Sequence, residues 1–212
     1  MNESAVLWVL DDLGVILHGH FVLASGKHSD KYFNKDGLYP HTRETSELCL
    51  TIANHFVWGK TIEVVIAPAI GGVILSQWTA HYLSEISSNK VLSVYAEKTK
   101  DGETFIIGRG YDNLIIGKNV LVVEDVLTTG GSVKKVIEAV RALGGNIVGL
   151  GAICNRGRVT AEDVGGVPVL YSMVNIKFDA WNEAECPLCA NNVPINTNVG
   201  RGSEYLAKKR TD

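Results

Sequence analysis

The sequence predicts an α/β fold, with a central parallel sheet flanked by helices in a Rossmann-like order. Short apolar runs alternate with amphipathic stretches from about residue 42 to residue 174. That alternation is typical of a parallel sheet covered by helices on both faces. Residues 1–40 do not follow it, which favours a small separate layer beside the main sheet.

The individual elements follow from the spacing of apolar residues. Residues 3–18 carry valine and leucine at helical spacing, which predicts a first helix. Two strands are predicted around 20–24 and 31–34, on either side of a turn at Gly26. The alternating region then adds helices at about 42–58, 72–86 and 131–143, and strands at 62–67, 91–96, 119–124, 146–153 and 167–174. Beyond residue 174 the periodicity fades.

Composition places the chain among globular proteins and excludes several partner classes. The chain has 212 residues, of which 46% are hydrophobic and 20% charged, enough for one domain with a substantial core. A net charge of −3 gives no electrostatic reason for a nucleic-acid or membrane partner, and the basic cluster 208–210 is interpreted as a solvated tail. The N-terminus lacks the basic residues of a signal peptide, no apolar run is long enough to span a membrane, and four cysteines imply no disulfide framework. We therefore expect a cytoplasmic protein.

The stretch LVVEDVLTTGGSV at 121–133 is the first candidate site. Glu124 and Asp125 follow a buried strand, and the loop 126–130 leads into a predicted helix near Gly131. Free N–H groups at a helix N-terminus, with small residues that allow close approach, bind phosphate. The two carboxylates would repel a phosphate, so we expect them to face another part of the ligand, such as a sugar diol. The spacing matches neither a Walker loop nor a GxGxxG motif.

Two other strand ends carry unusual composition. The turn in APAIGGVIL, residues 67–75, has no charged side chain, so any anion there is held by backbone N–H groups; a plain turn is the alternative. The segment AEKTKDGETFIIGRG, residues 96–110, is a long polar connection, and such connections are often functional lids. A solvated hairpin is the alternative for this segment.

LVVEDVLTTGGSV closely resembles the phosphoribosyl pyrophosphate (PRPP) signature of the type I phosphoribosyltransferases. Within that superfamily, the chain is similar to the orotate phosphoribosyltransferases over about residues 15–200. The similar segments are FVLASGKHSDKYFNKDGLYP, YAEK with GRGY, CNRG at 154–157, and CPLC with the following VP. The resemblance implies the type I fold on a single domain of residues 1–212. It also implies a hood made of about residues 1–40 with part of the C-terminal region, and a flexible catalytic loop at 96–110.

The resemblance also implies roles for individual residues. Glu124 and Asp125 would bind the ribose hydroxyls, 128–132 the 5′-phosphate, and the 69–71 turn the pyrophosphate, often through a strained peptide bond in this superfamily. The implied PRPP-binding residues are Lys27, Ala69, Ile70, Gly71, Glu124, Asp125, Val126, Leu127, Thr128, Thr129, Gly130, Gly131 and Ser132. The implied orotate-binding residues are Phe33, Asn34, Thr128 and Arg156. A guanidinium at position 156 suits the carboxylate of orotate, although a surface arginine is the alternative.

The implied reaction is displacement of pyrophosphate from PRPP by a ring nitrogen of orotate, giving orotidine 5′-phosphate. Asp125 and a loop lysine, Lys98 or Lys100, are the implied catalytic residues. Mg²⁺, held by substrate oxygens and water and not by the protein directly, is the expected cofactor. The family's loop serves the neighbouring subunit, which implies a homodimer. This loop departs from the better-known members, because Glu97 stands where a cation is expected and no histidine occurs in it.

Two other functions compete with this one. A phosphoribosyltransferase for another base would keep the fold and the sugar donor. A non-catalytic PRPP-binding regulator would not turn substrate over, but the chain has no added nucleic-acid module.

The pair Cys186 and Cys189 raises a separate question about metal. One CxxC supplies two of the four ligands of a structural zinc, and Cys49 and Cys154 fall in apolar elements typical of core packing. Pro187 and the Asn-rich surroundings indicate a loop, unlike a redox CxxC. The sequence favours a packing role for the pair, with a zinc shared across a dimer as the alternative.

Overall fold

The computed structural model describes residues 1–209, which divide into two compact units. The first consists of Met1–Leu7 and His41–Ile176, and the second of Trp8–Pro40 and the described residues from Lys177 onward. The helices are α1 (Glu3–Asp12), α2 (Thr42–Phe56), α3 (Gly72–Ser87), α4 (Gly131–Ala142), α5 (Pro187–Ala190) and α6 (Gly202–Lys209). The strands are β1 (Ile16–Val22), β2 (His28–Phe33), β3 (Val64–Pro68), β4 (Leu92–Lys98), β5 (Phe105–Ile106), β6 (Asn119–Leu127), β7 (Asn146–Asn155) and β8 (Leu170–Asn175).

The first unit is built on a six-stranded sheet in the order β5-β4-β3-β6-β7-β8. Strands β4, β3, β6, β7 and β8 are parallel to their neighbours, and β5 at one edge is antiparallel to β4. The predicted α/β fold with a parallel sheet is therefore confirmed. The predicted strands and helices of this unit are all present, with ends that differ by a few residues.

Helices cover both faces of this sheet. On one face, Val120 and Val122 of β6 belong to the same buried cluster as Val136 and Val140 of α4. On the other face lie α2 and α3. There Gly151 of β7 faces α2, and a Cβ at this position would lie 2.7 Å from Ile52, so a glycine allows the helix to pack closely on the strand.

The second unit contains a two-stranded antiparallel sheet of β1 and β2. Its C-terminal segment pairs with this hairpin at two isolated bridges, His20 with Ile195 and His28 with Trp181. The sequence around 182–190, interpreted as loop, instead forms a 3-10 turn and the single-turn helix α5.

One prediction about the termini was wrong, and a second was confirmed only in part. The first helix does not reach residue 18, because Gly14 adopts a φ of +64° and the N–H of Val15 bonds to Leu10 O at 2.8 Å, which ends the helix at Asp12. The C-terminal basic cluster is not simply a solvated tail, because Lys209 closes α6 and forms an ion pair with Glu183. Arg210 lies outside the described residues. Among residues 1–209, none of the helices has both the length and the apolar character needed to cross a bilayer.

Candidate active site

The order of the strands places two of the candidate loops side by side. The chain leaves β3 through α3 towards β4, and leaves β6 through α4 towards β7, in opposite directions along the sheet. Ligands bind at such a switch point, outside the carboxyl ends of the strands. Because Ile66 pairs with Val122, the turn after β3 and the loop after β6 emerge at the same edge of the sheet.

Glu124 and Asp125 lie near the C-terminal end of β6. The strand runs on to Leu127 and does not end at Glu124 as the sequence predicted. Both residues are buried, at 8% and 3% exposure, and each carboxylate accepts a backbone N–H: that of Asp125 for Glu124 (3.1 Å) and that of Val126 for Asp125 (2.7 Å). Since successive strand residues point to opposite faces, Glu124 shares the α4 face with Val122, and Asp125 points to the other face.

The loop after β6 and the first turn of α4 enclose a small pocket of about 130 Å³. Lys134 donates the first N–H bond within the helix, to Gly130 O at 2.9 Å. The N–H groups of Ser132 and Val133 precede that bond and have no carbonyl in the helix to accept them. The first turn carries no acidic residue. The pocket therefore suits an anion, and its lining residues are Glu124, Val126, Leu127, Thr128, Thr129, Gly130, Gly131, Ser132 and Val133.

Gly130 sets the direction in which α4 leaves this loop. Its φ is +74°, which an L side chain rarely adopts, and a Cβ would lie 2.7 Å from Val164 and 2.9 Å from Val159. Val159 is held by buried Asn155, whose side chain bonds both the N–H and the carbonyl of Val159, at 3.0 and 2.9 Å. Sequence reasoning missed Asn155, Val159 and Val164, because nothing in their spacing connects them to the loop.

The turn after β3 presents bare backbone. Ile70 is 88% exposed, and the peptide bond between Ala69 and Ile70 is cis. The N–H of Ala69 bonds to Ala96 O at 2.7 Å, which ties the turn to β4. A Cβ at Gly72 would lie 2.5 Å from that of Ala67, so only glycine lets α3 begin this close to the strand.

Arg156 lies beside the loop that follows β6. It follows β7, whose last residue Asn155 pairs with Leu127, and the N–H groups of Arg156 and Gly157 both bond to Leu127 O, at 3.0 and 3.1 Å. The structure thus brings Arg156 next to Thr128, the two residues that the sequence assigned to orotate in this unit. It also shows that Leu127, 1% exposed, contributes its carbonyl and not its side chain to the architecture of the site.

The segment 96–110 folds as a hairpin, and its role as a lid stays a prediction. Glu97 and Lys98 pair with Ile106 and Phe105 across the antiparallel edge. The Arg109 guanidinium donates two hydrogen bonds to Glu97, both at 2.8 Å, and this partner holds the pKa of the Glu97 carboxyl below its usual range. The Arg109 guanidinium is therefore already paired with the Glu97 carboxylate.

The two lysines of the hairpin differ in surroundings. Both are exposed, but Nζ of Lys98 lies 5.9 Å from the centroid of the Phe105 ring, whereas Lys100 lies in the turn. Either lysine remains a candidate for contact with a phosphate group.

Three predicted site residues belong to the second unit. Lys27 is exposed in the turn between β1 and β2, where Gly26 has a φ of +79°. Phe33 ends β2 and is buried, and the N–H of Asn34 bonds to Val15 O at 2.7 Å. Their roles towards a ligand stay predictions.

Known proteins resemble this chain in both sequence and fold. Residues 43–188 match the family model described as the phosphoribosyl transferase domain. The orotate phosphoribosyltransferase of Caldanaerobacter subterraneus subsp. tengcongensis is 39% identical over 97% of this chain and all of its own length. That of Chlorobium phaeobacteroides is 36% identical over 96% of this chain and 99% of its own length. The crystal structure of orotate phosphoribosyltransferase from Aeropyrum pernix is similar with a TM-score of 0.65 and 25% identity, covering 81% of this chain and 93% of that one.

Proposed function

This chain belongs to the phosphoribosyltransferase family, in its orotate phosphoribosyltransferase branch, and we propose how its strand-end site performs that transfer. The enzyme moves the 5-phosphoribosyl group of PRPP to orotate and yields orotidine 5′-phosphate and pyrophosphate, a step of pyrimidine nucleotide synthesis. One observation carries the assignment of the site. At the switch point of the sheet, a phosphate-type pocket, two buried carboxylates and a bare backbone turn lie on two adjacent strands.

The loop after β6 holds the 5′-phosphate of PRPP. The unpaired N–H groups of Ser132 and Val133, the hydroxyls of Thr128 and Thr129, and the positive end of the α4 dipole all favour an anion there. Glu124 lines the same pocket, so its carboxylate accepts hydrogen bonds from the ribose hydroxyls that follow the phosphate.

Asp125 lies on the opposite face of β6, next in sequence to Glu124. Its carboxylate also accepts a ribose hydroxyl and places negative charge beside the sugar, where the anomeric carbon becomes positive as pyrophosphate leaves. The backbone of 69–71 binds the pyrophosphate. The reacting carbon therefore lies between the two loops.

Arg156 and Thr128 receive orotate. The guanidinium donates two parallel hydrogen bonds to the carboxylate of the base. The backbone N–H of Arg156 bonds to Leu127 O, which places this residue beside the sugar pocket. Lys27, Phe33 and Asn34 are the proposed contributions of the second unit, Lys27 towards PRPP and the other two towards the base.

Mg²⁺ is the proposed cofactor, and the donor set fits it. Two carboxylates and several hydroxyls at one strand end are hard oxygen donors, which this ion prefers. When bound, the ion would supply positive charge that offsets the negative charge developing on the leaving group. Glu124 and Asp125 would hold it through the ribose hydroxyls and water.

The 96–110 hairpin acts as a lid over the departing pyrophosphate. Lys98 or Lys100 meets its negative charge, and closure excludes water that competes with the base for the activated sugar. In a homodimer, which we also propose, this hairpin serves the neighbouring site. Because PRPP and orotidine 5′-phosphate carry phosphate charges that do not cross a bilayer, the cytoplasm is the proposed compartment.

The test is a spectrophotometric assay of orotate consumption with PRPP and Mg²⁺. We expect turnover that requires both, and no turnover with uracil, hypoxanthine or adenine in place of orotate. The Asp125→Asn variant should lose orders of magnitude in kcat while it keeps its fold, whereas Glu138→Gln, an exposed carboxylate on α4, should behave as wild type. PRPP binding without turnover of any base would support a regulator and contradict the proposed function.

A further inference from the structure

A cluster of four potential metal ligands lies within the second unit. His20, His28, Cys186 and Cys189 each offer one nitrogen or sulfur atom, and these four atoms all lie within 4.8 Å of one another. His20, His28 and Cys186 are buried, and Cys189 is partly buried. Nothing in the phosphoribosyl transfer uses these residues.

Three distances between the ligand atoms match a tetrahedral site. Bond lengths of about 2.0–2.1 Å for zinc to nitrogen and about 2.3 Å to sulfur place ligand atoms roughly 3.3–3.8 Å apart in a tetrahedron. Sγ of Cys189 lies 3.3 Å from Nδ1 of His28 and 3.7 Å from Nε2 of His20, and Sγ of Cys186 lies 3.7 Å from Nε2 of His20. The two histidine nitrogens are 2.8 Å apart and need to separate by about half an ångström around a metal.

The side chains are oriented as metal ligands are. Nδ1 of His20 faces the carbonyl oxygen of Val193 at 2.8 Å, so this nitrogen carries the proton and Nε2 directs its lone pair into the cluster. A backbone carbonyl that holds the far nitrogen of a ligating histidine is a common outer partner of zinc sites. Cys186 is the N-cap residue of α5 and Cys189 lies in the single turn of that helix, and their sulfur atoms lie within 4.8 Å of each other.

The backbone holds the four residues together independently of any metal. His28 exchanges two backbone hydrogen bonds with Trp181, each 2.8 Å long, and the N–H of Asn196 bonds to His20 O at 2.7 Å. These contacts join the β1–β2 hairpin to the stretches on both sides of α5. The cluster thus unites segments more than 150 residues apart in the sequence.

We propose that Nε2 of His20, Nδ1 of His28 and the thiolates of Cys186 and Cys189 bind one Zn²⁺ within a single chain. Two imidazoles and two thiolates in tetrahedral geometry select zinc among common ions. All four positions are filled by protein, so the site is structural and leaves no position for a substrate. The two thiolates balance the charge of the ion, and binding releases their protons.

A structural metal would stabilise the second unit. Its sheet has only two strands, and an isolated two-stranded hairpin is marginally stable. An open pocket of about 310 Å³ lined in part by His20, Cys189, Tyr205 and Lys209 reaches the cluster and gives the ion a route in. The ion would link the hairpin that carries Lys27 to the C-terminal segment of the same unit.

Elemental analysis of the purified full-length chain tests the proposal directly. We expect about one zinc per chain in wild type, a loss of nearly all of it in His20→Asn and Cys189→Ser, and full retention in His18→Asn and Cys49→Ala. His18 lies on the same strand as His20 but is exposed, and Cys49 is buried in α2, so they are matched controls.

A second measurement keeps the test sharp if a ligand variant fails to fold. Wild-type protein that is stripped of metal and titrated with Co²⁺ should show the absorption of tetrahedral cobalt with thiolate ligands. This absorption should saturate at one equivalent of Co²⁺ and disappear when Zn²⁺ is added. Chelation should also lower Tm. A protein that stays metal-free after supply of Zn²⁺, a metal retained equally in the His20 variant, or a Cys186–Cys189 disulfide in its place overturns the proposal.

Discussion

Gly157 packs against the carbonyl oxygen of Thr128 so closely that a Cβ on residue 157 would lie 1.6 Å from that oxygen. The N–H groups of Arg156 and Gly157 bond to the preceding carbonyl, that of Leu127. The turn after β7 is therefore a brace for the start of the phosphate loop, and the same turn carries the arginine assigned to orotate.

Substituting this glycine should damage catalysis through geometry. In Gly157→Ala the Thr128 carbonyl has to move by more than an ångström, and displacement on that scale near a reacting centre reduces rates by about 10²-fold. We expect a fall of that order in kcat/KM for both substrates. Gly59→Ala is the control, since its Cβ would make only an ordinary contact at 3.5 Å with Phe56 O. Equal activity of the two variants would contradict the bracing role.

Gly130 allows a second test that separates backbone strain from crowding. Gly130→Ala and Gly144→Ala place an alanine at similar φ, +74° and +78°, which costs each about 1–2 kcal/mol of stability. Only at residue 130 does the new Cβ also collide, with Val164 and Val159, whereas nothing lies within 4 Å at residue 144. We expect KM for PRPP, measured from initial rates, to rise in Gly130→Ala alone. Denaturant unfolding curves of both variants should show a similar loss of stability from the backbone strain. A normal KM in Gly130→Ala would show that the loop does not need its present path.

The lysines of the hairpin supply a third prediction. Glu97 already binds Arg109 through two hydrogen bonds, so the nearby cations left for pyrophosphate are Lys98 and Lys100. Replacing each with Ala should lower kcat, with a much larger loss for one than for the other, because only one can lie in line with the leaving group. Arg109→Ala should have the smaller effect of a loosened hairpin. Unchanged kcat in both lysine variants would remove the hairpin from the catalytic machinery.

The sequence was informative where a pattern is local. Alternating apolar runs predicted the sheet, and the order of acids, hydroxyls and glycines predicted a phosphate site at the end of β6, because both signals lie within a few neighbouring residues. It failed where two local signals conflict, and where three-dimensional proximity decides. Gly14 ends α1 although leucines continue the helical spacing to residue 17, since a left-handed glycine outweighs a weak periodicity.

Three-dimensional proximity, which the sequence does not reveal, explains the missed residues. The CxxC pair suggested half of a metal site, but its partners His20 and His28 are more than 150 residues earlier and lie on a hairpin whose register no spacing reveals. Gly157 likewise gave no sign of its contact with Thr128, because that contact depends on the pairing of β6 with β7.

The thiol of Cys154 provides the last prediction, because it lies two residues before Arg156 at the proposed base site. Burial raises the pKa of Cys154 to about 12, and the nearby Arg156 charge offsets this only in part. Burial also raises the pKa of Cys49 to about 12. At pH 8 only about one thiol in 10⁴ is then a thiolate, the form that reacts. Native protein treated with iodoacetamide at pH 8 should therefore stay unlabelled at both residues by peptide mass mapping, and both should label once the chain is unfolded in urea. Alkylation at Cys154 would place a bulky group beside Arg156, so activity should survive the treatment because this thiol stays unlabelled. Rapid labelling of native Cys154 with loss of turnover would show that this strand end opens to solvent.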